Sequence, residues 1–362
     1  MTLPTGRYRS LDVFRGLTIA MMILVNTPGS WQHIYAPLRH AEWHGYTPTD
    51  LVFPFFLVAV GLSMSFVLPR YRARGNKAFY SKVIRRVLLI FFIGLALTAF
   101  PFYNKDYSHL RILGVLQRIA LAYGLAAVWV YHLRQVRLLI ITSLLVLVGY
   151  WLLLWLAGGP DPYSLTHNLP RQFDLLVLGA NHMWHGHGLA FDPEGLLSTL
   201  PAAVSVVSGY LLGLLIQQTR RPAPVWLAGA LLLAAGYLWS LAMPINKSLW
   251  TSSYVLVSSG IAALVLGLLI YLIDIRGLAG WAKPFEIFGM NPLAVFILSI
   301  LWVKIYFMIH IGDRNMYGWL YHTIFEPIGN PTFGSLLFAL FHVAGCWLVA
   351  WLLYRKQIVI KV

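Results

Sequence analysis

The chain has 362 residues, of which 59% are hydrophobic and only 11% charged, and it carries a formal net charge of +15. A soluble domain is about 25% charged, so the composition excludes an ordinary soluble fold and points to an integral membrane protein. Lys and Arg collect on the cytoplasmic loops of such proteins, which accounts for the positive charge and makes nucleic acid a poor partner.

Apolar runs of about 20 residues predict an all-α, polytopic transmembrane helical bundle of about ten helices, ten to eleven allowing for boundary error. The runs are 11–25, 51–68, 83–100, 112–131, 138–156, 196–216, 225–242, 250–273, 287–309 and 333–353. The opening MTLPTGRYRSLDVFRG does not read as a cleaved signal peptide. Its apolar run leads into a polar segment without a small-residue cleavage site, so the first helix is expected to remain in the mature protein. Basic residues alternate strongly between the two sides of these helices. One side collects Arg7, Arg9, the stretch Arg70 to Arg86, Arg134, Arg137, Arg220, Arg221, Arg276, Lys283, Arg355, Lys356 and Lys361; the other has Arg39, Lys105, Arg111, Arg171, Lys247 and Arg314. This bias predicts both termini in the cytoplasm. The long loops 26–50, 158–195 and 310–332 then face the opposite side. No linker, repeat or low-complexity segment divides the chain, so a single transmembrane domain over 1–362 is expected. Cys346 is the only cysteine and sits in an apolar run, which rules out an intrachain disulfide and a thiolate metal cluster.

Several polar residues need explaining in so apolar a chain. Asp12 and Arg15 lie three apart on one helix face, where an interfacial ion pair is the ordinary reading. The first long loop holds His33, His40, Glu42, His44 and Asp50 among Trp31, Tyr35 and Trp43. A lone loop histidine is usually just solvated. Beside a carboxylate, however, a neutral imidazole is a competent general base, because the acid fixes its tautomer and stabilises the imidazolium. His40 or His44 with Asp50 or Glu42 fits that pattern.

Gln117 and Arg118 fall inside the fourth run, where a charge normally faces a cavity or a buried partner. They read either as a structural pair or as a contact for an anion or polarised carbonyl. His182, His185 and His187 follow H-x-x-H-x-H, which matches no strong zinc signature, and no metal is expected. The neighbouring Asp192 and Glu194 read as helix caps or as binders of a hydroxyl-rich or cationic substrate. The basic stretch that includes Arg85 and Arg86 reads as topogenic charge attracted to anionic membrane lipids, or as a dock for a phosphorylated cofactor. Asn291 and Pro292 interrupt the ninth run and free backbone groups there. Asn246 opens a polar entrance to the eighth. Polar groups on one face and basic groups on the other suit a transmembrane group transferase or a transporter.

The pieces RSLDVFRGLTIAMMILVN, RHAEWHGYTPTDLVFPFFLVAVG, RILGVLQRIALAYG, AFDPEGLLSTLPA, NKSLWTSSYVL and FGMNPLAVF resemble, in the same order, those of the heparan-α-glucosaminide N-acetyltransferase family. The lysosomal members have a further luminal domain and N-terminal helix; this chain looks like the compact bacterial form, which implies the bacterial inner membrane. The resemblance implies transfer of acetyl from cytoplasmic acetyl-CoA to the amine of glucosamine or a related amino sugar on the periplasmic side. It also implies a homodimer as the family's assembly. The family's active-site histidine, in a segment of the type H-A-x-W-x-G, corresponds to His40. His44 departs from the family's pattern, which has Asn there, and is given no role. By the same resemblance Asp50 orients His40 and Asn26 donates to the thioester oxygen. His40 accepts the amine proton or is itself acetylated. Gln117 and Arg118 are expected to line the acyl tunnel, and Arg85 and Arg86 to bind the CoA nucleotide. Asp192, Glu194, Asn246 and Asn291 are expected to hold the sugar. An amino-sugar permease and an O-acyltransferase of surface glycans are the competing functions.

Overall fold

The structure is a computed structural model that describes residues 8–103 and 105–360. Arg7 and Lys361 of the charge count lie outside them. The described chain is mostly helical and divides into two compact units. Six helices are long and apolar enough to cross a membrane, or seven if a bent pair is one span. This makes the chain a polytopic helical membrane protein. Every predicted run coincides with a helix or a helix pair. Three of those helices are more charged or less apolar than the six. Arg9, Asp12 and Arg15 charge the first, Lys77, Lys82, Arg85 and Arg86 the third, and Gln117 and Arg118 lower the hydropathy of the fourth.

Unit one comprises Glu42–Tyr46 and Leu57–Leu268. It holds most of α2 (Pro48–Arg74), then α3 (Asn76–Ala99), α4 (Val115–His132), α5 (Val136–Ala157), α6 (Leu169–Leu178), α7 (Thr199–Thr219), α8 (Pro222–Ser240) and α9 (Ser252–Leu269). The centre of this unit is α7, which packs against α4, α5 and α8. It also meets α2 backbone to backbone. Gly209 and Gly213 of α7 form a G-x-x-x-G pair, and Gly61 of α2 answers them. A Cβ on Gly209 would strike the Val58 carbonyl, one on Gly213 the Ser65 hydroxyl, and one on Gly61 the Val206 carbonyl. In hydrocarbon, where apolar side chains gain little by leaving lipid, such close approach is what binds helices. Burial follows this pattern: 72% of the α7 span is buried, against 28% of α5 and 17% of α8.

Unit two comprises 8–41, Thr47–Phe56 and 269–360. Here α1 (Arg9–Asn26) packs against α10 (Lys283–Met290), α11 (Pro292–Met308) and α13 (Pro331–Arg355). Between α11 and α13 come a two-residue hairpin, β1 (His310–Ile311) with β2 (Arg314–Asn315), and the short α12 (Met316–Leu320). The polar groups of α1 explain its grip on α10. Arg15 pairs with Asp12 at 2.9 Å, as their spacing predicts, and its Nε also donates to the Gly289 carbonyl at 2.8 Å. A cation at the last carbonyls of α10 is well placed against the helix dipole. Arg9 pairs with Glu286 at 2.6 Å.

The ninth predicted run is not one straight helix. It breaks by 78° at Asn291, between α10 and α11, because Pro292 has no N–H to give. We expect Gly209→Leu to cost about 2–3 kcal/mol through forced separation of α2 and α7. This should be read as a lower thermal midpoint of the detergent-purified protein. Gly149→Leu on α5, whose added Cβ meets nothing within 4 Å, should leave the midpoint unchanged.

Candidate active site

The loop after α1 brings His40 to the head of α2 within unit two. The local sequence Thr47-Pro48-Thr49-Asp50 is a helix start: Pro48 occupies the first helical position, and Asp50 sits where an acid reaches back to the residue before the helix. Asp50 Oδ2 accepts from the Thr47 amide at 2.9 Å, and the Thr47 hydroxyl lies 3.1 Å away. The same oxygen accepts from the Ala41 amide at 2.9 Å. Oδ1 is left for the imidazole, and His40 Nδ1 lies 2.6 Å from it. Two hydroxyls fasten the approaching strand. Thr47 Oγ1 donates to the Arg39 carbonyl at 2.6 Å and Thr49 Oγ1 to the Pro37 carbonyl at 3.1 Å. The Asp50 side chain is 2% exposed and that of His40 42%. A buried carboxylate thus holds an accessible imidazole by Nδ1. Such a pair sets the imidazole tautomer and steadies a positive charge on the ring.

Asn26 ends α1 in the same unit and is exposed. Its amide donates to the Met22 carbonyl at 2.7 Å. The chain beyond it is pinned to α13, with the Gly29 amide on the Ser335 carbonyl at 3.1 Å and the Ser30 amide on the Ser335 hydroxyl at 3.0 Å.

Unit one carries a second polar cluster, ahead of α7. Arg111 grips Asp192 with two bonds, at 3.0 and 2.7 Å, and Glu194 with one at 2.6 Å. Burial opposes the Arg111 charge, but Glu194 and Asp192 outweigh it and hold the proton more firmly than in a free guanidinium. Of the two acids expected to meet a sugar, Asp192 has no exposed side-chain surface and Glu194 has 13%.

Arg118 is fully buried. It donates to the carbonyls of Pro193, Gly195 and Ser198 and to the Ser198 hydroxyl, and it lies over the Trp250 ring. It therefore ties α4 to the start of α7. Beside it, Gln117 Nε2 is buried with no hydrogen-bond partner. Asn246 is buried as well and staples two loops. Its Nδ2 donates to the Trp43 carbonyl at 2.8 Å, and its Oδ1 accepts from the Leu249 amide at 2.8 Å. Trp43 in turn donates to the Tyr163 carbonyl and packs against Phe191 and His187. Burial holds His44 and His187 below the ordinary histidine range.

The remaining expected residues are spread further. Arg85 is exposed on α3, and Arg86 lies over the Tyr123 ring at 4.6 Å. Asn291, in unit two, spends its amide on the segment after α13: Nδ2 donates to the Ile358 carbonyl at 2.9 Å and Oδ1 accepts from the Ile360 amide at 2.8 Å.

A family model described as the catalytic part of heparan-alpha-glucosaminide N-acetyltransferase matches residues 7–171. The human heparan-alpha-glucosaminide N-acetyltransferase is 30% identical in an alignment 352 residues long that covers 80% of this chain and 52% of that protein. The mouse protein of the same name is 28% identical in an alignment 361 residues long that covers 81% of this chain and 53% of the mouse protein. The chain resembles the heparan-α-glucosaminide N-acetyltransferases. It spans about half the length of the curated relatives it matches. Asn26, His40, Asp50, Arg85, Arg86, Gln117 and Arg118 lie inside the matched segment; Asp192, Glu194, Asn246 and Asn291 lie beyond it.

Sequence reasoning passed over Asp174 and gave Arg111 no role beyond its charge. Asp174 of α6 is fully buried. Its Oδ1 accepts from the Leu196 amide at 2.9 Å, while Oδ2 has no partner and abuts Gly195. Nothing in the local pattern marks it, because its burial comes from a segment some twenty residues on. Burial pushes its carboxyl up to about 7. The fold therefore favours the protonated acid. Its cost to stability grows as pH rises from about 4, where the unfolded chain releases the proton, to about 7, and is constant above that. Asp174→Asn keeps the Leu196 bond. We expect it to raise stability above pH 7, by up to a few kcal/mol, and to remove this part of the pH dependence. Thermal melts across pH 4–8 check both points.

Proposed function

We propose that the chain is a membrane-bound acyltransferase that moves acetyl from acetyl-CoA to the amine of glucosamine or a related amino sugar. The observation that carries this reading is the 2.6 Å bond between His40 and the buried Asp50, within the segment that matches the catalytic family model. Nδ1 is committed to Asp50, so Nε2 is the nitrogen that takes a proton. The sugar ammonium gives that proton to Nε2 and its lone pair attacks the thioester carbonyl. The C–N bond forms as negative charge gathers on the carbonyl oxygen. Asn26 spends one N–H on Met22 and offers the other to that oxygen. The C–S bond then breaks and the thiolate takes a proton from the imidazolium. The second amine proton goes to solvent. Asp50 stays ionised throughout and steadies the charged ring.

The other contacts are proposed for unit one. Glu194 is the acid with surface left for a sugar hydroxyl, and Asp192 fixes Arg111 behind it. Asn246 supports this role by holding the Trp43 loop. Gln117 offers its unpartnered amide to the acyl or pantetheine chain, with Arg118 shaping the wall. Arg85 and Arg86 are the proposed nucleotide contacts. Ten crossings are proposed from the ten apolar runs, both termini in the cytoplasm from the charge asymmetry, and a bacterial inner membrane is the proposed location. In that orientation His40 faces the periplasm. The whole chain then acts as one catalytic domain, and the family's homodimer is its proposed assembly.

Purified protein given acetyl-CoA and a panel of amino sugars should release free thiol only when an amino sugar is present, with an amide product. An ester product would turn the reading to O-acyl transfer. Uptake of labelled sugar into proteoliposomes, with no thiol released under any condition, would make the chain a permease. His40→Ala should lower kcat by roughly 10²- to 10⁴-fold, the usual contribution of a positioned base, with an unchanged thermal midpoint. A rate equal to wild type would remove His40 from the mechanism.

A further inference from the structure

Within unit one, Leu125 and Trp129 of α4, Thr142 and Val146 of α5, and Leu200 and Ala203 of α7 line a groove of about 290 Å³. Its two polar side chains are already satisfied: Trp129 Nε1 donates to Thr142 Oγ1 at 2.9 Å, and that hydroxyl donates to the Leu138 carbonyl at 2.7 Å. The groove thus presents only hydrocarbon to an occupant, and its rim residues Leu125 and Leu200 are exposed. It runs along α5, a span with 28% of its length buried, so its surroundings are the bilayer.

The turn between α4 and α5 supplies the opposite chemistry. Arg134 and Arg137 are exposed there, and neither has an ion-pair partner among the described residues. No Asp or Glu occurs in the chain between Asp106 and Asp161. At 1.5 Å per residue, Thr142 lies about 7 Å and Val146 about 14 Å along α5 from Arg137. Those depths fall within one leaflet, whose hydrocarbon is about 15 Å thick.

We infer that this groove binds one acyl chain of an anionic phospholipid whose phosphate is held by Arg134 and Arg137. The two arginines select the headgroup by charge, and the groove selects a flexible chain over bulk lipid by shape. The inference rests on the membrane-spanning character of the chain and not on its catalytic chemistry.

The test is native mass spectrometry of the full chain released from nanodiscs of equal phosphatidylglycerol and phosphatidylcholine. Wild type should retain one phosphatidylglycerol with roughly thirtyfold preference, the scale expected for two basic side chains at a charged surface. Arg134→Gln with Arg137→Gln should remove the preference while leaving the melting temperature in phosphatidylcholine unchanged. Val146→Trp, which fills the groove from its half-exposed wall, should reduce retention of both lipids. Equal retention of the two lipids by wild type, or undiminished preference in the double variant, would overturn the inference. So would a dimer that Val146→Trp dissociates, since the groove would then hold a second copy.

Discussion

The Asp50 carboxylate is buried at the head of a helix that enters the membrane, and it survives there because donors surround it. Two backbone amides converge on one oxygen, and the helix N-terminus adds its own positive end. Each of those donors belongs to the segment that delivers His40, so satisfying the charge also folds the loop. The other oxygen faces the imidazole. The orientation of His40 is a by-product of neutralising Asp50, which is why the two are best regarded as one device.

The same constraint organises unit one with the sign reversed. Arg118 is a cation with no solvent, and it is met by carbonyls at the start of α7 rather than by a carboxylate in direct contact. Arg111 is met by Asp192 and Glu194 just ahead of them. Asp174 takes an amide from the same turn. The entrance to α7 is therefore pulled from three directions, and α7 is also the helix whose glycines let α2 approach. Rigid seating of one central helix follows from polar contacts at its end and backbone packing along its length.

The fold class was legible in the residues because hydrocarbon tolerates few charges and leaves long apolar runs. The His40–Asp50 pair was legible in part: the sequence offered two histidines and two acids, and the family pattern chose among them. Thr47-Pro48-Thr49-Asp50 is a local capping pattern, but Asp50's backward reach to Thr47 came from the structure. Arg118, Asn246 and Asn291 stood out as polar groups needing partners, but the partners are mostly backbone carbonyls and amides, which nearly every residue has. Which one a buried side chain meets depends on packing, not on pattern.

By itself the sequence determined that this chain is a multi-helix membrane protein, where nearly all its helices lie, and that a histidine and an acid share the first long loop. Those features depend on composition and on neighbours a few residues apart. Only the tertiary structure decided that Asn291 clasps the chain after α13, how far the ninth run bends, and that Asp174 is buried beside Gly195. Each of these joins segments distant in the chain or turns on how a helix break is accommodated. The energy that settles them comes from contacts that do not exist until the helices have packed.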